Sequence, residues 1–277
     1  MDRFVAYRNP HPDDVPLFFY HVPKTAGTTV TGVLHALASA RGRGAQHIPR
    51  TVGMREKPLP AALKKFGSTL AFMGHCWFGF HEELPGLTRP CVVLRDPVER
   101  VVSDYLWQCR VHQREPSARA EDFLDFLDNV VLSNAMTRQI RGGAEIGWNA
   151  DTFAIRRLES CFLVGTTAGV GLFLSALLTA YGGPTVLARR SKEERSPVKA
   201  ELVARFADVV RQRNAYDCAV FAHAEQALAP RAQALLAGFT EPNDETMSVE
   251  NIRGKTYRVE RVAPVSGAPA SEVAASG

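Results

Sequence analysis

The sequence has no Cys-x-x-Cys pair, and its five cysteines (Cys76, Cys91, Cys109, Cys161 and Cys218) are scattered and odd in number. That argues against a disulfide framework and offers no structural zinc site. Most of them read as small apolar core residues, which suits a reducing compartment. An excess of charge is lacking too: 33 basic against 29 acidic residues leave a formal net charge of +4. Nothing therefore points to a general nucleic-acid binder, although a local positive cluster for a small anion remains open. Met1-Asp2-Arg3-Phe4-Val5 lacks the apolar run of a secretory signal, so a cytoplasmic protein is expected. Only residues 160–188 form an uncharged stretch long enough for a bilayer. The crowding of Gly165, Thr166, Thr167, Gly169 and Gly171 reads there as a buried strand, a turn and a buried helix, so no transmembrane segment is expected.

What is present is an alternation of strands and helices. Leu17-Phe18-Phe19-Tyr20-His21-Val22 is a nearly continuous apolar run, the pattern of a strand buried on both faces. Val30, Val33, Leu34 and Leu37 follow at helical spacing, and Arg41-Gly42-Arg43-Gly44 ends that helix. Residues 46–60 read as a loop. Further strands are expected at 69–73, 91–94 and 161–164. After the strand at 91–94, Asp96 is a helix cap, Pro97 suits the first helical position and Glu99 completes a capping box. Val98, Val101, Val102, Tyr105, Leu106 and Cys109 form the buried stripe of that helix. An apolar helix is expected at about 170–181. Two amphipathic helices follow, one with Leu202, Val203, Phe206, Val209 and Val210, the other with Tyr216, Val220, Phe221 and Ala224. The class is α/β, a parallel sheet flanked by helices, with ligands expected at the carboxyl ends of the strands. Residues 1–238 are read as one domain. Residues 239–277 are read as a partly disordered tail with one short strand at 256–259.

The most informative segment is Pro23-Lys24-Thr25-Ala26-Gly27-Thr28-Thr29, between the first strand and the first helix. Backbone N–H groups and the positive end of the helix dipole favour an anion there. Lys24 adds a full charge, and Thr25, Thr28 and Thr29 add hydroxyl donors. A plain turn with threonine caps is the simpler alternative, but capping does not call for a lysine and three hydroxyls. The Walker order Gly-x-x-x-x-Gly-Lys-Ser/Thr is absent, since the lysine precedes the glycine, and no acidic strand end offers itself for magnesium. His21-Val22-Pro23-Lys24-Thr25-Ala26-Gly27-Thr28-Thr29 resembles the 5′-phosphosulfate loop of sulfotransferases. It is most similar to the branch that includes heparan sulfate 2-O-sulfotransferase and bacterial carbohydrate sulfotransferases.

A second motif strengthens the resemblance. Val92-Val93-Leu94-Arg95-Asp96-Pro97-Val98-Glu99-Arg100-Val101-Val102-Ser103-Asp104-Tyr105 is similar to the 3′-phosphate motif of the same family. Arg95 stands at a strand end, where its fork suits phosphate oxygens, and Ser103 follows on the next helix. Two separated anion sites match 3′-phosphoadenosine 5′-phosphosulfate (PAPS), which carries a ribose phosphate besides its phosphosulfate, and its product 3′-phosphoadenosine 5′-phosphate.

The resemblance also implies a P-loop-nucleotide-kinase-like sulfotransferase fold. It implies His75, in Met73-Gly74-His75-Cys76-Trp77-Phe78-Gly79-Phe80-His81, as the catalytic base, with Lys24 stabilising the leaving phosphate and no metal. Some relatives carry a second histidine where this chain has Met73. His81 is a weaker candidate, and Trp77 and Phe80 read better as core packing. Arg190 and Ser191 match the basic and hydroxyl positions of a loop that closes over the nucleotide. Asn134-Ala135-Met136-Thr137-Arg138-Gln139 resembles a family phrase near the acceptor and has no assigned role. The expected reaction is transfer of a sulfuryl group from PAPS to a hydroxyl, with a saccharide or polysaccharide acceptor implied by the resemblance alone. The rival readings are a phosphoryl-transfer kinase and a non-catalytic nucleotide- or polyanion-binding module.

Overall fold

The computed structural model describes residues 15–48, 65–128, 133–182 and 197–237, together with the strand segments 187–188, 248–250 and 256–260. Five strands form the central sheet: β1 (Leu17–Tyr20), β2 (Gly44–Ile48), β3 (Thr69–Gly74), β4 (Arg89–Leu94) and β5 (Leu163–Thr166). All their pairings are parallel, and their order is β2-β3-β1-β4-β5. Tyr20 lies opposite Gly74 on one side and Val92 on the other. The chain fills one side of β1 with β2 and β3, then crosses to β4 on the other side. This makes the carboxyl end of β1 a topological switch point, the place where open α/β sheets bind ligands.

Burial follows from the two-residue period of a strand. Leu17 and Phe19 join one apolar layer, whereas Phe18 and Tyr20 join the opposite one. The first layer is covered by α1 (Gly27–Ala40), which contributes Val30, Val33, Leu34 and Leu37. The helix α6 (Val170–Ala180) adds Phe173, Leu174 and Leu177. The second layer is covered by α4 (Ala135–Arg141), α5 (Ala150–Glu159), α8 (Ala215–His223) and a π-helical turn over Ala224–Leu228. A third cluster joins α2 (Pro97–Val111), α3 (Ala120–Leu127) and α7 (Pro197–Arg213) through Val98, Val102, Phe123, Leu202, Phe206 and Val210. The last helix is α9 (Pro230–Ala237). Cys76, Cys91, Cys109 and Cys161 are buried and form no disulfide, as suits small apolar residues.

Three sequence expectations need correction. Residues 46–48, read as loop, belong to β2, an edge strand whose burial is partial and so leaves no apolar alternation to read. The strand expected at 161–164 lies two residues later, with Cys161 leading into it. Asp96 caps α2 by accepting from the Glu99 N–H at 2.9 Å, but the Glu99 carboxylate turns to Arg95, a charged donor that outcompetes a neutral backbone N–H. Residues 163–180 form a strand, a turn and a buried helix, and no helix among the described residues is long and apolar enough to cross a membrane. Near the carboxyl end, β8 (Thr256–Glu260) coincides with the expected short strand. It lies antiparallel between β6 (Leu187–Ala188) and β7 (Ser248–Glu250). The expectation of disorder in the tail falls on residues outside those described.

Candidate active site at the switch point

The loop leaving β1 is built with an unusual backbone. Lys24 and Ala26 both take left-handed conformations, with φ of 68° and 63°, although neither is glycine. Each costs on the order of 1–2 kcal/mol, so the surrounding structure must hold them there. The Thr25 hydroxyl supplies part of that hold: it is fully buried and donates to the Val22 carbonyl at 2.8 Å. The sequence pointed this hydroxyl at a ligand, whereas the structure spends it inside the turn. Alternating left-handed residues gather successive backbone N–H groups into a concave nest, and the nest opens onto the start of α1. Ala26 is the cap residue of that helix, and Thr29 and Val30 donate to its carbonyl. The N–H groups of the first turn are those a helix leaves to a ligand. Thr28 is exposed and Thr29 half-buried.

Gly27 is glycine because of the side chain above it. A Cβ there would lie 1.7 Å from Nε2 of His21. The His21 ring in turn stacks on His75, with centroids 4.1 Å apart. Burial, followed by the neighbouring His75 and His47, lowers the His21 pKa from 6.5 to about 3, so this ring is neutral. His75, just beyond β3, is half-buried and places Nδ1 2.6 Å from the His21 carbonyl oxygen. A carbonyl can only accept, so Nδ1 carries the proton and Nε2 is the acceptor nitrogen of the neutral ring.

Arg95 leaves β4 on the other side of β1 and reaches the same loop. Its Nη1 donates to the Lys24 carbonyl at 3.2 Å, and its Nη2 to Glu99 Oε2 at 2.6 Å. Its Nε is buried and finds no hydrogen-bond partner among the described residues. The Glu99 carboxylate also lies 3.5 Å from Lys199 Nζ, and the Arg95 guanidinium holds its carboxyl below the usual range. Two cations from different elements thus converge on one carboxylate. The Lys24 ammonium stands 5.5 Å from the centroid of Trp107, an exposed aromatic on α2. Ser103 is half-buried one turn before Trp107, on the same helix face.

Lys24, His75 and Arg95 follow the carboxyl ends of β1, β3 and β4, and so stand at one edge of the sheet. Arg190 and Ser191 lie outside the described residues. His81 has other work. Tyr20 Oη lies 2.5 Å from its Nδ1 and accepts from the Gly79 and His81 N–H groups, and the ring packs edge-on against Tyr20 and Phe78. Phe80 likewise packs against Phe18, at 6.0 Å between centroids. Lys199 and Trp107 had no sequence signal of their own beyond the spacing of Trp107 from Ser103. Gln139 ends the phrase that carried no role; its amide donates to the His21 carbonyl at 3.2 Å and the Cys76 carbonyl at 3.1 Å. Among the described residues no group of three or more histidine, cysteine or acidic side chains is arranged to hold a metal.

No curated protein matches the chain. A family model described as "Sulfotransferase family" matches residues 11–151, just over half of the 277 residues. That span contains the anion nest, the histidine pair, the Arg95 site and α4 in a single open parallel sheet, and by it the chain belongs to the sulfotransferase family.

Proposed function

We propose that this chain is an O-sulfotransferase that takes a sulfuryl group from PAPS and gives it to a hydroxyl of a carbohydrate, with His75 as general base. One observation carries the reading: the ends of β1, β3 and β4 bring an anion nest, a histidine with Nε2 as acceptor and an arginine fork to one switch point. The residues suit the donor. The nest and Lys24 match the 5′-phosphosulfate, while Arg95, whose buried Nε lacks a partner among the described residues, matches the 3′-phosphate together with Ser103 and Lys199. Arg190 and Ser191 are proposed to close over the nucleotide. The carbohydrate acceptor and the branch near heparan sulfate 2-O-sulfotransferase rest on the motif resemblance.

In this reading Nε2 of His75 takes the proton of the acceptor hydroxyl as the oxygen–sulfur bond forms. The bond from sulfur to the bridging phosphate oxygen breaks, and the electron pair leaves with that oxygen on 3′-phosphoadenosine 5′-phosphate. Lys24 and the nest stabilise the charge gathering there. The protein contributes position and charge, and no step calls on a metal.

The test is transfer of radiolabelled sulfate from PAPS to a panel of unsulfated glycans. Lys24→Ala is expected to lower turnover about 10²- to 10³-fold, and His75→Ala about 10²- to 10⁴-fold. Nucleotide binding with unchanged turnover in His75→Ala would leave a binding module or a different base. Magnesium-dependent binding of a nucleoside triphosphate would favour a kinase.

A further inference from the structure

One side chain ties together the loops that follow β1 and β3. Gln139 is 6% exposed and sits in α4. Both of its amide contacts are to backbone: Nε2 lies 3.2 Å from the His21 carbonyl oxygen and 3.1 Å from that of Cys76. Its own backbone carbonyl accepts the Phe78 N–H at 2.9 Å. Gln139 therefore grips the segment on both sides of Trp77 and, with the same amide, the residue that opens the phosphate loop.

The His21 carbonyl is the shared point. It accepts from Gln139 Nε2 and from His75 Nδ1, which fills the two lone pairs of a carbonyl oxygen. An imidazole in water exchanges freely between its two neutral tautomers, and inside a protein the partner of one nitrogen decides which is kept. For His75 that partner is the His21 carbonyl oxygen, just beyond the end of β1, in a peptide group whose Val22 N–H already donates to the Tyr20 carbonyl at 3.0 Å. Gln139 adds a second hold, on the oxygen itself. Its own helix is held in place by Asp217, a buried carboxylate that accepts from the Met136 and Thr137 N–H groups and from the Thr137 hydroxyl at 2.7 Å.

We propose that Gln139 is a positioning residue: by pinning the His21 carbonyl it locks His75 in the tautomer with the proton on Nδ1 and leaves Nε2 as acceptor. Its importance for turnover rests on the reading of His75 as the base. The lock itself does not, and the experiment reads the lock alone. In the full chain labelled with ¹⁵N-histidine, long-range proton–nitrogen spectra at pH 8 distinguish a protonated from an unprotonated ring nitrogen. The His75 ring is assigned by loss of its signals in His75→Ala.

The expected wild-type pattern is a protonated Nδ1 and an unprotonated Nε2. In Gln139→Met, which keeps the volume and loses the donor, both nitrogens are expected to shift toward the average of two tautomers. Gln139→Leu, which also lacks the donor, provides the second arm should the first variant not fold, and the same shift is expected. An unchanged His75 pattern in either folded variant overturns the lock. Full turnover by His75→Ala in the transfer assay is a separate result: it removes the base reading and leaves the spectra to decide what Gln139 does to the ring.

Discussion

The imidazole of His21 occupies the space that a side chain at Gly27 would need, with Nε2 only 1.7 Å from the position of a Cβ. Gly27→Ala must therefore push aside either the ring or the first turn of α1. Moving the ring also disturbs its stack on His75, and moving the turn spoils the nest built on Lys24 and Ala26. Affinity for 3′-phosphoadenosine 5′-phosphate is expected to fall by about tenfold or more, equivalent to roughly 1.4 kcal/mol. The double variant His21→Ala/Gly27→Ala should recover part of the loss, because the obstructing ring is gone while the His21 carbonyl stays. Calorimetric titration of the three proteins checks this, and a double variant no better than Gly27→Ala would put the clash elsewhere.

His21 also sets a pH dependence. Its folded-state pKa is lowered from 6.5 to about 3, first by burial and then by His75 and His47. Between those values the unfolded chain binds a proton that the folded chain refuses. Stability from this group is therefore complete above about pH 6.5 and is lost as pH falls toward 3, by at most about 1.4 kcal/mol per pH unit. Urea unfolding of wild type and His21→Gln at pH 6.5 and 4.5 should separate the two by about 2 kcal/mol of extra loss in wild type. Parallel losses would mean that the ring titrates normally.

Glu99 makes the opposite kind of prediction, a gain on removal of charge. Its carboxylate engages Arg95 at 2.6 Å and Lys199 at 3.5 Å, and so competes with a phosphate for the same two cations. The pair is partly exposed, which limits its worth to about 0.2–1 kcal/mol. Glu99→Gln is expected to tighten 3′-phosphoadenosine 5′-phosphate binding up to about fivefold, and Lys199→Ala to weaken it by a similar factor. Both effects should shrink in high salt. Weaker binding by Glu99→Gln would make the carboxylate an organiser of Arg95 and not a competitor.

Much of the scaffold was legible because buried parallel strands announce themselves. Phe18 to Tyr20, Leu70 to Met73 and Cys91 to Leu94 are apolar without interruption, and each strand is followed directly by a residue of the site, His21, His75 or Arg95. The cap at Asp96 located α2 to the residue. Edge strand β2 was missed because half of its surface is wet. The start of α4 shows why no local signal would have served: its first N–H groups are satisfied by Asp217, some 80 residues later. At the site, Lys24, His75 and Arg95 stood in recognisable phrases, whereas Gln139, Lys199 and Trp107 matter only through contacts made in three dimensions.

The same long-range cap yields the largest expected loss of stability. Asp217 is fully buried, accepts from Met136 and Thr137, and lies 3.8 Å from Arg100, itself 1% exposed. Burial pushes its carboxyl upward, and the Arg100 charge opposes that shift. Asp217→Ala would leave an arginine buried beside a weakened partner, Asp104 at 3.8 Å, and would uncap the helix that carries Gln139. Losing one member of a buried pair costs about 3–5 kcal/mol. Asp217→Asn keeps one oxygen for the Thr137 N–H and hydroxyl and removes the charge, so its loss should be smaller by the share that belongs to Arg100. Urea unfolding of both variants separates the two contributions. Equal losses would assign the stability to the ion pair alone, and a near-neutral Asp217→Asn would assign it to the cap.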